Sequence, residues 1–466
     1  MIVTVLWAYI LYRAVFIGIT QDESYSYFLV KTNYWRAMPG SLNTHWLNTL
    51  AMKLFLWLPG PDHLWKLRIL SVLSWWLYSY SAIKLSAQFK HKLIGFTFFL
   101  AAVLNPFLIF FFSLGRGYAV ACAFLLFSIS QAYRTIYNRA IDPVSWMKVF
   151  LPASIAVLAN FSSFYFFIGI TVVYIFHLLA NKKTSVLFDP SAYSWKFLIT
   201  GTSLFAAFSL LFIRYHTKEF EGSESSDLID SLFGSQIRYG SHLTTGMNVF
   251  PLGLILFMIM IILTIISCNQ YFKSKTMTVG IFTILVSGVI ILCSILFYLV
   301  FRTPFLYGRT GLIFYVTLLP GFFGIVDSWE PGRKSAGIGL QFLMIFIGVI
   351  YLFNFYKGFY LNYFYEWPVQ TDTQRSLDYV QRVNARQVGL TSWHFSVFNH
   401  YYSRAYPEKY SFHSIIIDEK KIPNPDIDKC DYLIVTIPDS GKNTLTNNLN
   451  IIWTDSATRT MILSKR

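Results

Sequence analysis

The sequence predicts a polytopic α-helical membrane protein of about eleven transmembrane helices, followed by a small C-terminal extracytoplasmic α/β domain. Three observations carry that prediction. Only 13% of the 466 residues are charged and 55% are hydrophobic, with a mean hydropathy of +0.48, whereas a soluble domain carries about 25% charged residues. Apolar runs of roughly spanning length, about 20 residues, recur along the first three quarters of the chain. Finally, the short loops that fall on one side of such a bundle are all basic: Lys84, Lys90 and Lys92; Arg134, Arg139 and Lys148; Lys182, Lys183 and Lys196; Lys273 and Lys275; Arg333 and Lys334. That is the positive-inside pattern, and it places the N-terminus in the cytoplasm. The net charge of +15 is therefore a topology signal and gives no reason to expect a nucleic-acid partner. Aromatic residues make up 19%, which suits interfacial belts and apolar cavity walls.

The spans are expected near 2–19, 68–85, 93–112, 117–133, 149–161, 163–180, 197–215, 249–268, 277–300, 310–326 and 337–354. The first is apolar except for Arg13, which is expected to snorkel or to face the bundle. It ends in Thr20, Gln21, Asp22 and Glu23. Ionised groups cost about 2.5–3.5 kcal/mol each at a helix centre, so two adjacent carboxylates belong at the boundary or beside a wet cavity. They read either as a solvated stop or as a membrane-embedded site with a carboxylate base. The exterior loop 20–67 continues with Ser24–Val30, apolar enough to lie in the interface. A Thr44-His45 turn and a second semi-apolar stretch to Trp57 follow, and Pro59-Gly60-Pro61 precedes the next span. The fifth and sixth spans share 149–180, broken by Asn160-Phe161-Ser162-Ser163, and read as two short helices or one kinked helix.

From residue 355 the long apolar runs disappear and charge density rises, which divides the chain into a membrane unit, 1–354, and an exterior domain, 355–466. Thr373–Arg386 reads as an amphipathic helix with Leu377, Val380 and Val383 on one face. Short β-type runs follow at 387–391, 414–417, 432–437, 450–453 and 460–463, punctuated by Pro423, Pro425, Pro438 and Gly441. Nothing in this tail looks catalytic. Cys122, Cys268, Cys293 and Cys430 show no metal-ligand or redox spacing, and the first apolar run shows no small-residue cleavage site.

Asp22-Glu23 with Tyr25, then Thr44-His45-Trp46-Leu47, then Arg68-Ile69 opening the next span, resembles the GT-C superfamily of polytopic glycosyltransferases. The resemblance is to the branch of the protein O-mannosyltransferases and bacterial aminoarabinose transferases. That branch carries an Asp-Glu pair after its first helix and prolines in the Thr-His turn; both prolines are missing here. Residue matching is confined to about the first hundred positions. The resemblance implies transfer of a sugar from a polyprenyl-phosphate donor to an extracytoplasmic glycan, lipid or protein acceptor, with inversion. It implies Asp22 as the base, with Glu23 orienting Asp22 or a neighbouring basic group. It also implies a plasma-membrane location, bacterial by the chain's size and the lack of a luminal β-trefoil insert.

An inverting displacement needs a group to take the acceptor's proton and cations around the leaving phosphate. The candidate phosphate- and substrate-facing residues are His45 and Lys53 in the first loop, and Arg116 and Tyr118 in Leu114-Gly-Arg-Gly-Tyr118. Arg302, Tyr307 and Arg309 complete the set, in a second outer turn. Arginines can match a monophosphate bidentately, so no cofactor is expected and a divalent cation is not required. Glu219, Glu221, Glu224, Asp227 and Asp230, in the loop 216–248, are candidates for such an ion or for a solvated loop. Two other classes stay open from the sequence: a lipid-linked sugar flippase or transporter, and a non-catalytic membrane scaffold.

Overall fold

The computed structural model describes residues 1–32, 45–137, 143–181, 228–240, 248–274, 276–301, 305–328, 334–361, 372–410, 412–417, 429–436, 449–455 and 460–465. The expected span at 197–215, Thr44, Arg302, Glu219, Glu221, Glu224 and Asp227 lie outside them. Among the described residues, six helices are long and apolar enough to cross a membrane, or up to eight if each of two bent pairs is one span. The chain is an integral membrane protein.

Helix α1 (Ile2–Phe16) bends by 66° into α2 (Gln21–Lys31). We take α1 as the span and α2 as lying outside it. The bend is encoded by Thr20, whose hydroxyl caps the backbone N–H of Glu23 while the Glu23 carboxylate accepts from the Thr20 backbone N–H. This reciprocal box restarts the helix in a new direction. The carboxylate pair thus opens α2, where the positive end of the helix dipole favours acidic groups. Helix α3 (Trp46–Leu56) follows, then α4 (Leu64–Ser86).

The run expected as one helix over 93–112 is instead α5 (Lys92–Val103) and α6 (Pro106–Phe112), bent by 56°. Asn105 caps Leu108 and Pro106 takes the first helical position, where its missing N–H costs nothing. Helices α7 (Gly117–Tyr137), α8 (Pro143–Ala159) and α9 (Phe164–Ala180) come next. The break at Asn160 separates two helices, with Asn160 capping Ser162. A short α10 (Ser235–Gly240) precedes α11 (Phe250–Ser274), α12 (Val279–Phe301), α13 (Leu312–Ser328) and α14 (Lys334–Lys357). Arg13 faces the bundle, fully buried: it donates to Tyr9, Ser113 and the Tyr360 carbonyl.

The tail forms α15 (Thr373–Arg382) and α16 (Ser392–Val397) with strands β1 (Gln387–Thr391), β2 (His413–Ile417), β3 (Tyr432–Thr436), β4 (Leu449–Asp455) and β5 (Thr460–Lys465). The sheet order is β2-β1-β3-β5-β4, with β1 parallel to both neighbours and β5 antiparallel to both of its own. Helix α15 stops earlier than its apolar pattern suggests, because Asn384 adopts φ 54°. The N–H of Ala385 then reaches the Val380 carbonyl and that of Asn384 the Gln381 carbonyl, a Schellman stop. Val383 consequently leaves the buried face that Leu377 and Val380 occupy and is 39% exposed.

The tail packs on the membrane unit through α2. Leu377, Val380, Val388, Ile434 and Ile462 share one apolar core with Tyr27, Val30, Met52 and Leu67. Asp62 pins the contact, accepting from Tyr27 Oη at 2.6 Å and pairing with Lys31 at 2.7 Å, while its carbonyl accepts from Tyr401 Oη at 2.7 Å. The helix that begins with the carboxylate pair is therefore held along its length by the tail domain.

Candidate active site

Adjacent in sequence, Asp22 and Glu23 have separate environments. Glu23 is fully buried. Its Oε1 accepts from Arg68 Nε at 2.8 Å and from the Gly115 N–H at 2.5 Å; its Oε2 accepts from Arg68 Nη2 at 2.8 Å and from Thr20 N and Oγ1 at 3.0 and 3.1 Å. The other N–H groups of Arg68 go to the carbonyls of Ala14, Ile17 and Gly18 at 3.2, 2.7 and 2.9 Å. The first two are carbonyls that α1 leaves unpaired at its C-terminus, where a cation is favoured. Glu23 and Arg68 thus lock α1, α2, α4 and the turn before α7 together. The Glu23 carboxylate has its acceptor positions filled and no access to solvent.

Asp22 is the partly accessible one. Its Oδ2 meets Arg309 Nη1 at 2.7 Å and Arg116 Nη2 at 3.2 Å. The Asp22 and Arg309 side chains are 23% and 20% exposed and Arg116 only 2%. Burial alone would raise the Asp22 carboxyl; Arg116 and Arg309 outweigh it, so the group is held below its ordinary value.

The turn carrying Arg116 is built by its glycines. A Cβ on Gly117 would run into the Ala159 carbonyl and stand 2.8 Å from His45 Cβ, and one on Gly115 would stand 2.9 Å from the Leu67 carbonyl and 3.1 Å from Glu23 Oε1. These glycines admit neighbouring backbone, and so bring α3, α4, α8 and the carboxylate pair up to Arg116. Asn48 Nδ2 fixes the same turn through the Gly115 carbonyl at 2.6 Å. No sequence signal singled out Asn48.

His45, the N-cap of α3, is buried, with Nδ1 3.1 Å from the Ala159 carbonyl and its ring 4.7 Å edge-on to Tyr118. A carbonyl can only accept, so Nδ1 carries the hydrogen. Burial, then Arg116 and Arg309, push the imidazole well below its ordinary value. His45 is neutral, and Nε2 offers a lone pair with no hydrogen-bond partner among the described residues. Two guanidiniums already occupy the neighbourhood and disfavour a third positive charge there.

Tyr118 stands beneath Arg116, 6.0 Å from guanidinium carbon to ring centroid. Arg309 lies in the turn Gly308–Gly311 that opens α13, and Tyr307 caps that turn. Tyr307 Oη accepts from Arg238 at 2.7 Å and Arg238 pairs with Asp230 at 2.9 Å. Arg238 of α10 therefore braces the Arg309 turn through Tyr307 and is itself held by Asp230. Lys53 is half-buried on α3. The structure thus gathers Asp22, His45, Arg116, Tyr118 and Arg309, and sets Glu23 behind them with Arg68.

Behind the Arg309 turn lies a cavity of about 270 Å³, lined mainly by apolar and aromatic side chains including Leu232, Phe233, Leu256, Phe314 and Ile350. Gln236, on its wall, donates to the Gly308 carbonyl at 2.7 Å, so the cavity abuts the Arg309 turn.

No family model matches the sequence, and no curated protein matches it. Among solved structures, ArnT from Cupriavidus metallidurans in the apo state is similar with a TM-score of 0.50 and 10% identity, over 99% of this chain and 96% of that one. The same protein bound to undecaprenyl phosphate gives a TM-score of 0.47 at 10% identity over the same shares. The apo likeness shows the fold: the chain shares the polytopic helical architecture of that structure from end to end.

Proposed function

We propose that this protein is a lipid-linked sugar transferase, moving a sugar from a polyprenyl-phosphate donor to a hydroxyl of an extracytoplasmic acceptor. The observation that carries the reading is the partly exposed Asp22 carboxylate held by two arginines, Arg309 at 2.7 Å and Arg116 at 3.2 Å, at the edge of the membrane bundle. Two guanidiniums around one anion form a site that another anion can enter. In the resting protein Asp22 fills it. The donor's phosphate displaces the carboxylate from the arginines and takes their charge. Asp22, relieved of its partners, regains the basicity they suppress.

The acceptor oxygen then attacks the anomeric carbon and passes its proton to Asp22. The bond from that carbon to the phosphate oxygen breaks, and the electron pair leaves with the polyprenyl phosphate, whose growing charge Arg116 and Arg309 stabilise. A single displacement inverts the anomeric centre. The apolar cavity beside Gly308 is suited to the first isoprene units.

Proteoliposomes containing the purified protein and undecaprenyl-phosphate-linked hexoses or pentoses, each supplied separately with envelope extract as acceptor, test the reading. Release of undecaprenyl phosphate with sugar appearing on the acceptor supports it. Movement of the intact sugar lipid across the bilayer without release makes the protein a flippase and removes the proposal.

A further inference from the structure

A second site is built into the tail domain, and it starts from one extra residue in β4. Ile451 pairs with Leu463, whereas Trp453 pairs with Ile462, leaving Ile452 as a bulge. In a regular strand residues two apart share a face, so Trp453 would follow Ile451. The bulge turns it over. Ile462 packs in the core shared with Leu377 and Val380 of α15, while Leu463 packs in the cluster on the opposite face with Leu433 and Val435. Trp453 is therefore turned towards α15.

There it lines an open groove of about 780 Å³, within the range of small-molecule sites. Arg375, Asp378, Tyr379 and Arg382 of α15 line it as one stripe at i, i+3, i+4 and i+7, and Lys409 closes it. Asp378 is already engaged, at 2.7 Å from Lys409 Nζ and 2.8 Å from Tyr410 Oη. Arg375, whose side chain is 56% exposed, meets Asp372 only at 3.9 Å. Arg382 is exposed and its Nε donates to the Asp378 carbonyl at 3.3 Å. The groove thus offers two guanidiniums whose charge is not balanced inside it, beside two half-buried aromatic side chains.

We propose that this groove between α15 and the β4 bulge binds a negatively charged saccharide. Guanidiniums match carboxylate or phosphoryl oxygens bidentately, and the aromatic side chains receive the apolar face of a sugar ring. Binding of an anion follows from the groove itself. The choice of a saccharide over another flat anion rests on the sugar-transfer reading.

The test uses the full-length protein in detergent and calorimetric titration with trigalacturonic acid, neutral maltotriose and AMP. Trigalacturonic acid is expected to bind, more weakly as salt rises, and more tightly than AMP; maltotriose is not expected to bind. Arg375→Gln and Arg382→Gln, both at exposed positions that leave the fold intact, are each expected to weaken binding about tenfold or more. Trp453→Leu is expected to weaken it as well. Equal binding of maltotriose, tighter binding of AMP, no binding of trigalacturonic acid, or undiminished binding in both arginine variants overturns the proposal. No sugar donor is present in this titration. A protein that binds trigalacturonic acid yet transfers no sugar keeps the groove and loses only the transferase reading.

Discussion

Glu23→Gln is expected to act on stability, and Asp22→Asn, one residue away, on turnover. Glu23 accepts five hydrogen bonds, two of them from Arg68, and both side chains are 0% exposed. An amide removes the charge that compensates Arg68. It also turns an NH₂ group towards a guanidinium N–H and a backbone N–H, either Arg68 Nε and Gly115 N or Arg68 Nη2 and Thr20 N. Removing one partner of a buried ion pair costs about 3–5 kcal/mol, and nothing here softens that figure through solvent. The loss falls on the corner joining α1, α2 and α4. Arg68→Met added to Glu23→Gln removes the uncompensated cation and should recover part of the loss, while leaving the carbonyls of Ala14, Ile17 and Gly18 without their donor. Cys122 and Cys430 are buried and in no disulfide, so a thiol-reactive dye reports melting in detergent as they become accessible. Scans must share one heating rate, because unfolding of such a protein is irreversible. The expected result is a melting temperature lower by several degrees in Glu23→Gln, partly restored in the double variant. A value within about one degree of the parent would refute the argument that Glu23 is structural.

Asp22→Asn should lower turnover by about 10²–10⁴-fold, the usual worth of a general base, while still binding undecaprenyl phosphate; near-normal turnover in the proteoliposome assay removes the base assignment. Gly117→Ala should abolish a folded bundle, since its Cβ meets the Ala159 backbone carbonyl, and a monodisperse, fully active variant would contradict that packing. His394, buried with Nδ1 3.0 Å from Thr373 Oγ1, is lowered by burial from 6.5 to about 4. The unfolded chain therefore takes up this proton first. The stability His394 contributes above pH 6.5 declines as pH falls towards 4, by about 1.4 kcal/mol per unit. Hydrogen exchange across 387–397, corrected for intrinsic rates, should rise between pH 7 and 5, and flat exchange there would show that this proton is not linked to folding.

Features written as local pattern were legible before the structure. The described helices of the bundle follow from apolar runs, and the strands of the tail from short β-branched stretches between turn residues. Where a local polar group competed with the pattern, the pattern alone misplaced a boundary. Asn105-Pro106 cuts the 93–112 run in two by capping and starting a new helix, and Asn384 ends α15 by taking the left-handed conformation. Both are residues whose side chain or backbone freedom offers an alternative to continuing the helix.

The site divides along a different line. Residue types and loop order marked Asp22, Arg116 and Arg309 as chemically capable, yet nothing local tells which of two neighbouring carboxylates is buried. That is decided by Arg68, 45 positions away, and by a glycine turn that lets Glu23 reach the Gly115 N–H. The same long-range logic decides His45: its tautomer is set by the Ala159 carbonyl, 114 positions on, and its charge by burial and then by two arginines from separate loops. A residue's capacity for chemistry is a property of its side chain. Its charge state at the site belongs to the neighbours that folding supplies, and for Asp22 those neighbours are also the cations a phosphate would claim.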